Sequence, residues 1–292
     1  MVFMKSTESK SELSPGASRD RDPSGMFSNP NPGPATSRNM VVVTTSWDDG
    51  DRRDLKIAEL LTLRKLPGTF YVPSGSLGNN SNMSVTDLRE LANAGFEIGG
   101  HTVNHPILTD IDSGSVRREV GDCKRSLEAI LGREVSSFAY PRGRFNAEVV
   151  SEVRKAGFRC ARGVRMLSFA CDFPPFEMPV TIQAYPHRWR DYGRNLIRRG
   201  EILALAKSAM VIGRSTNWVQ LGKALFDRAL QEGGAWHLLG HSWEMKDENG
   251  WRELEEMLDY VSGRDGVHYC SNGELGQLVA SGPNATGRRA DS

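Results

Sequence analysis

Two adjacent carboxylates, Asp48 and Asp49, end the apolar, β-branched run Val41-Val42-Val43-Thr44-Thr45-Ser46-Trp47, and Gly50 follows them at once. A run of that composition reads as a strand buried on both faces, and the glycine permits a sharp turn after it. A buried carboxylate is costly unless something compensates its charge, and a metal ion is the usual compensation. Further along, His101 and His105 bracket Thr102-Val103-Asn104. On a helical turn, two histidines four apart share one face and can chelate one ion. Together with Asp49 they make a two-histidine, one-carboxylate set with open coordination positions. Such a set fits Zn²⁺-assisted hydrolysis and non-haem Fe(II) oxygenation alike. Two further residues favour hydrolysis. Asp48 stands beside the ligand and can take a proton from water, and His241 can return one to a leaving group; an oxygenase needs neither.

These residues need a scaffold that brings them to one place, and the pattern from Met40 onward supplies one. Strand signals at Gly68–Val72, Phe96–Gly99, Ser137–Tyr140, Cys160–Val164, Ala235–Gly240 and Val267–Cys270 alternate with helical spacing. The helical stretches are 51–64, 86–94, 116–131, 146–156, 192–210, 218–232, 251–261 and 274–280. Asn146 reads as an N-cap, and Gly95, Gly132 and Gly157 as helix stops. The stretch from Leu167 to Pro186 is proline-rich and reads as irregular. Alternation of this kind predicts an α/β fold, with parallel strands and outer helices closed or nearly closed as a barrel. Right-handed crossovers then place every strand end on one rim. The Asp pair, Gly99-Gly100-His101, Tyr140-Pro141 and Gly240-His241 all fall at such ends, and that convergence is the main reason to expect an active site.

Composition narrows the function classes. A net charge of +1 gives no general pull toward nucleic acid or anionic membrane. No apolar run approaches the ~20 residues of a membrane span, and the N-terminus lacks the apolar core of a secretory signal, so a cytoplasmic location is expected. The four cysteines, Cys123, Cys160, Cys171 and Cys270, form no C-x-x-C pair and read as reduced, mostly buried thiols. Residues 1–39 are rich in Ser, Pro, Asn and Gly and read as a disordered tail, 40–281 as the catalytic domain and 282–292 as a second tail. Trp236 reads as core, and His187, His237 and His268 as structural or exposed, with His237 able to support His241 from the same strand. The basic cluster Arg188, Arg190, Arg194, Arg198 and Arg199 reads as a solvated helix face, with a phosphate or nucleotide-sugar group as the sharper option. Oligomeric state leaves no mark in the sequence.

From Met40 to Ala280 the chain resembles the polysaccharide deacetylases, the NodB-homology carbohydrate esterases. The resemblance rests on Ser46-Trp47-Asp48-Asp49-Gly50, His101-Thr102-Val103-Asn104-His105, Phe138-Ala139-Tyr140-Pro141-Arg142-Gly143 and Leu238-Leu239-Gly240-His241. It implies a distorted (β/α)7 barrel. It implies a divalent metal on Asp49, His101 and His105, Zn²⁺ first, with Co²⁺, Mn²⁺, Ni²⁺ or Fe²⁺ as alternatives. It further implies Asp48 as base, His241 as acid and the Arg142 amide as an oxyanion donor. Tyr140, Pro141 and Trp243 are expected to touch substrate, an N-acylated amino sugar that is polymeric or a soluble, lipid-linked or nucleotide-linked precursor. The alternatives are a non-sugar formamide or ureide as substrate, or a glycan-binding member without activity. Two positions depart from the family pattern: Ala139 stands where an arginine commonly braces the base, and Arg142 stands where an aromatic residue is usual. No Asp-x-x-Asp-Trp-like fourth motif is present, and Asp172 is poorly suited to orient His241.

Overall fold

A computed structural model of the protein describes residues 40–169, 171–186 and 217–281. The two expected tails, the expected helix at 192–210, His187 and the basic cluster lie outside the described residues. The first strand, β1 (Val41–Asp48), is buried over all eight residues, as its β-branched composition demands. It sits at the centre of one parallel sheet. β1 pairs with β7 (Gly234–Gly240) from Val41 to Trp47, and with β2 (Thr69–Val72) over Ser46–Asp48. Its first three residues also pair with β8 (Val267–Tyr269). Beyond β2 follow β3 (Glu97–Gly100), β4 (Ser137–Ala139) and β5 (Cys160–Arg162), and beyond β7 lies β6 (Ile182–Gln183), giving the order β5-β4-β3-β2-β1-β7-β6.

The parallel α/β barrel architecture holds, with one correction. β6 falls inside the stretch expected to be irregular. Two residues among prolines carry no periodicity, and only pairing with Leu238 and Leu239 makes them a strand. The chain just before β6 spans the gap between the sheet's edges. Met178 donates to Ala161 O at 3.0 Å and accepts from Gly163 N at 3.0 Å, and Thr181 donates to His237 O at 2.9 Å.

Most of the outer helices begin where polar caps satisfy their first N–H groups; the first of them, preceded by Arg53, has no side-chain cap. Ser84 and Asp87 form a capping box on α2 (Val85–Asn93), and Asp112 caps α3 (Ser113–Leu131). Asn146 caps α4 (Ala147–Lys155), as expected from the sequence. α1 (Asp54–Leu63) follows β1 directly, and the remaining helices are α5 (Trp218–Glu232), α6 (Glu248–Val261) and α7 (Asn272–Ser281). Each faces the sheet with apolar residues at helical spacing: Leu254, Met257, Leu258 and Val261 on α6 are fully buried, each worth ~1.5–3 kcal/mol of transfer free energy. Trp236 is core, its indole N–H donating to Gly222 O at 3.1 Å.

Two strand glycines admit large rings rather than turns. A side chain at Gly99 would run into Tyr71, and one at Gly240 into Trp47. The barrel interior also holds a polar chain. Ser46 Oγ lies 2.8 Å from His237 Nε2, Thr44 donates to Asn272 at 2.8 Å, and Asn272 donates to the Tyr71 hydroxyl at 3.1 Å. All four cysteines are free thiols; Cys123, Cys160 and Cys270 are buried and Cys171 partly so.

Candidate active site

Parallel pairing puts the C-terminal ends of β1, β3, β4, β5 and β7 on one rim, and each delivers polar groups there. Asp48 is the last residue of β1 and is buried. Asp49 follows with φ +80°, a left-handed conformation unusual for a non-glycine residue, its amide tied to Tyr71 O at 3.1 Å. That turn sends the two neighbouring carboxylates to different partners.

Asp49 Oδ1 lies 3.6 Å from His101 Nε2 and 3.5 Å from His105 Nε2, and the two Nε2 atoms are 3.1 Å apart. All three ligand atoms fall within 4.8 Å of one another. His101 Nδ1 sits 2.7 Å from Ala139 O. A carbonyl only accepts, so Nδ1 carries the hydrogen and Nε2 keeps its lone pair for the site. Burial holds the His101 imidazole down to a pKa of about 4, against the pull of Asp48, so it is neutral at pH 7 as a ligand must be. The donor set fits one divalent cation of the Zn²⁺ class: three convergent N and O atoms, correct tautomer, and two of the three ligands, Asp49 and His105, half-buried.

The two histidines do not share a helical face. Residues 101–107 form an irregular loop, with Thr102 at φ +68° and His105 at φ +57°. The i,i+4 spacing therefore works by a different geometry from the one the spacing suggests. The loop folds back on itself, the His105 amide donating to Thr102 Oγ1 at 2.9 Å.

Asp48 Oδ1 accepts from the guanidinium of Arg162, the last residue of β5, which is wholly buried. Asp48 Oδ2 lies 4.0 Å from both His101 Nε2 and His241 Nε2. Burial alone would raise the Asp48 pKa. Arg162, then His101 and His241, outweigh it and hold the carboxyl below its usual value. Arg162 thus occupies, from the neighbouring strand, the place left open by Ala139 on β4. No local motif marks it in the sequence, because Cys-Ala-Arg looks like any short strand.

His241 follows β7. Its Nδ1 lies 3.0 Å from Glu244 Oε2, and Glu244 also accepts from Gln183 Nε2 at 3.2 Å. Burial pulls the His241 pKa down, but Glu244 and the charge of Asp48 together leave it raised. The carboxylate that orients His241 is therefore three residues downstream, and Asp172 has no part in it. Nothing separates Glu244 from other glutamates in the sequence; it becomes an orienter because a 3-10 turn at Ser242–Glu244 brings its nearly buried carboxylate back to His241.

The expected substrate contacts divide. Trp243 is 39% exposed at the rim, beside the His241 ring with centroids 5.2 Å apart, and its indole N–H donates to Asp49 Oδ2 at 2.8 Å. Tyr140 is instead 1% exposed: its ring stacks on Phe145 and its hydroxyl donates to Phe176 O at 3.1 Å. Pro141 is buried too. Neither ring is available to a ligand, because the core claims both. They open the turn Pro141–Gly143, in which Arg142 takes φ +53°, and the Arg142 amide has no acceptor among the described residues. His237 is buried and structural, and His268 is exposed.

Residues 35–161 match the family model described as polysaccharide deacetylase. The chain is 27% identical over 116 residues to the chitooligosaccharide deacetylase of Rhizobium leguminosarum bv. trifolii, covering 39% of this chain and 52% of that one. It is 27% identical over 118 residues to the peptidoglycan-N-acetylmuramic acid deacetylase PdaC of Bacillus subtilis, covering 40% and 24%. This chain thus spans about half of the first relative and a quarter of the second. A solved structure from Mycobacterium smegmatis assigned to the polysaccharide deacetylases superposes with a TM-score of 0.63 at 17% identity, over 84% of this chain and 91% of that one, a likeness of fold. Among the described residues no helix is long and apolar enough to cross a membrane.

Proposed function

We propose, from the premise that this chain belongs to the polysaccharide deacetylase family, that it hydrolyses the N-acetyl or other N-acyl group of an amino sugar. The observation that carries this reading is one juxtaposition. Three ligand atoms within 4.8 Å of one another share a rim with two proton-transfer groups, Asp48 and His241, whose facing atoms are 4.0 Å apart. A divalent cation held by Asp49, His101 and His105, Zn²⁺ before Co²⁺, Mn²⁺, Ni²⁺ or Fe²⁺, would supply a Lewis acid for water and for the acyl carbonyl.

The residues divide the remaining work. Asp48 stays ionised because Arg162 fixes Oδ1, which leaves Oδ2 to take a proton from the attacking water. His241 carries its proton readily, since Glu244 holds Nδ1–H and the Asp48 charge faces Nε2. It delivers that proton from Nε2 to the departing amine. The Arg142 amide, in a turn of left-handed conformation and without an acceptor among the described residues, donates to the developing oxyanion. Water and amide are consumed, and a carboxylate and a free amino sugar are released. Trp243 supplies an aromatic wall against which a sugar face packs.

The test is acetate release by the purified protein from chitooligosaccharides, from single N-acetylated amino sugars and, in parallel, from small formamides and ureides. Activity on the sugars is expected to vanish on chelation and to return with Zn²⁺ or Co²⁺. Turnover of only the non-sugar amides, or sugar turnover indifferent to chelation, would overturn the reading.

A further inference from the structure

The loop carrying His101 and His105 is held in a conformation that its sequence does not favour. Two of its non-glycine residues, Thr102 and His105, have positive φ. Such residues each cost ~1–3 kcal/mol and persist only where the surroundings over-determine them. The restraints can be counted. Ser74 and Gly75 donate backbone bonds to Thr102 O and Val103 O, both at 3.0 Å, and Thr102 Oγ1 holds the His105 amide. The His101 amide donates to Val72 O at 3.2 Å and its Nδ1 to Ala139 O at 2.7 Å. Three further bonds come from one side chain on α3. Glu119 Oε2 accepts from the amides of Val103 at 2.9 Å and Asn104 at 2.8 Å, and Oε1 accepts from Asn104 Nδ2 at 2.7 Å.

We infer that Glu119 is a positioning residue for the metal ligands: its carboxylate fixes the separation and aim of His101 and His105. An ionised carboxylate suits the task, because it only accepts and all three facing groups are donors. It stands on a rigid element. Val116, Val120 and Cys123 of the same helix are buried, and the Cys123 thiol lies 3.9 Å from Val72 O at the end of β2, next to the loop. α3 therefore acts as a fixed post, and Glu119 as the tie between post and loop. Without the tie, His105 is the ligand that moves. It is half-buried, and its own amide is held only through Thr102. The inference rests on the metal reading above and names a residue outside the ligand set.

The experiment is competitive titration of chelator-stripped protein with Zn²⁺ against a chromophoric chelator, for the wild type, Glu119→Gln, Glu119→Ala and the control Glu128→Gln. Glu128 lies on the same helix, where it accepts from the Val135 amide at 3.0 Å and pairs with Lys124 at 2.7 Å, in contact with no residue of the histidine loop. Glu119→Gln keeps the shape and turns a donor toward at least one donor of the loop. Zn²⁺ affinity is expected to fall ~10–100-fold in Glu119→Gln, as for other groups that orient metal ligands, to fall at least as far in Glu119→Ala, and to hold in Glu128→Gln. Equal affinity in the wild type and both Glu119 variants, even with lowered thermal stability, would show Glu119 to be a structural tie only. An equal loss in Glu128→Gln would likewise overturn the inference, since the effect would then be general softening of α3. If Glu119→Ala does not fold, the comparison of Glu119→Gln with Glu128→Gln decides. A wild type that binds no Zn²⁺, Co²⁺ or Mn²⁺ would sink the metal site itself, an outcome distinct from a wild type that binds as tightly as its Glu119 variants.

Discussion

Replacing Arg162 with methionine should expose how Asp48 is kept ionised inside the protein. Both partners are buried, the Arg162 side chain 0% and the Asp48 side chain 5% exposed, so solvent screens the pair little. Methionine fills much of the arginine stem but leaves a carboxylate without its nearest cation. Removing one member of such a pair costs ~3–5 kcal/mol, chiefly because the other charge stays buried and uncompensated. The neighbours do not make up the loss. Burial keeps His101 neutral at pH 7 with a pKa of about 4, and His241 Nε2 is 4.0 Å away. A domain of this size loses ~2–4 °C of Tm per kcal/mol, so the fall should lie between ~6 and 20 °C. Arg162→Met combined with Asp48→Asn removes both charges, and an uncharged replacement of a buried pair is often close to neutral. The double variant should therefore be more stable than Arg162→Met alone. The assay is urea unfolding at pH 7 of the wild type, both single variants and the double variant, read as a thermodynamic cycle with a coupling of at least ~2 kcal/mol. Free energies that add to within ~0.5 kcal/mol would refute the reasoning, because the two side chains would then not be sensing each other's charge.

The remaining expectations concern the same rim and the barrel interior. Asp48→Asn should bind Zn²⁺ with wild-type stoichiometry by elemental analysis, yet lose ~10²–10⁴-fold in turnover; retained turnover would remove Asp48 from the proton path. Glu244→Gln should lower the pKa of His241, measured by NMR on the metal-free protein, because the carboxylate at Nδ1 helps to raise it. An unchanged His241 titration would show that Glu244 does not stabilise the imidazolium. His237 gives a stability signature. Burial depresses its pKa from 6.5 to about 3, so the unfolded chain binds the proton more readily. Stability should be unaffected above pH 6.5 and fall as pH drops from there toward 3, by ~1.36 kcal/mol per unit, or ~2 kcal/mol at pH 5. His237→Asn should flatten that slope, and an equally steep acid limb in the variant would assign it to other groups.

Local pattern was enough for most of the fold. β1 announced itself through six β-branched or apolar residues among the seven before the acids, α5 is the expected helix end to end, and Asn146 caps α4 as its type suggests. These features depend on residues within a turn or two of one another, and side-chain period and capping chemistry act at that range. β6 escaped because its strand character comes wholly from Leu238 and Leu239 on another strand.

The site divides along the same line. Residue type and order already marked Asp49, His101 and His105 as candidate ligands able to converge, and the structure brings their donor atoms within 4.8 Å of one another. What holds those groups in working states was decided by the tertiary structure alone. Arg162 reaches Asp48 from 114 positions away, Glu119 grips a loop from a separate helix, and Trp243 reaches Asp49 across 194 positions. None of these partners bears a mark of its task in its own neighbourhood. A carboxylate or guanidinium has the same composition whether it is solvated or buried; its worth comes from the low-dielectric surroundings and the short distance that only the folded, curled sheet provides.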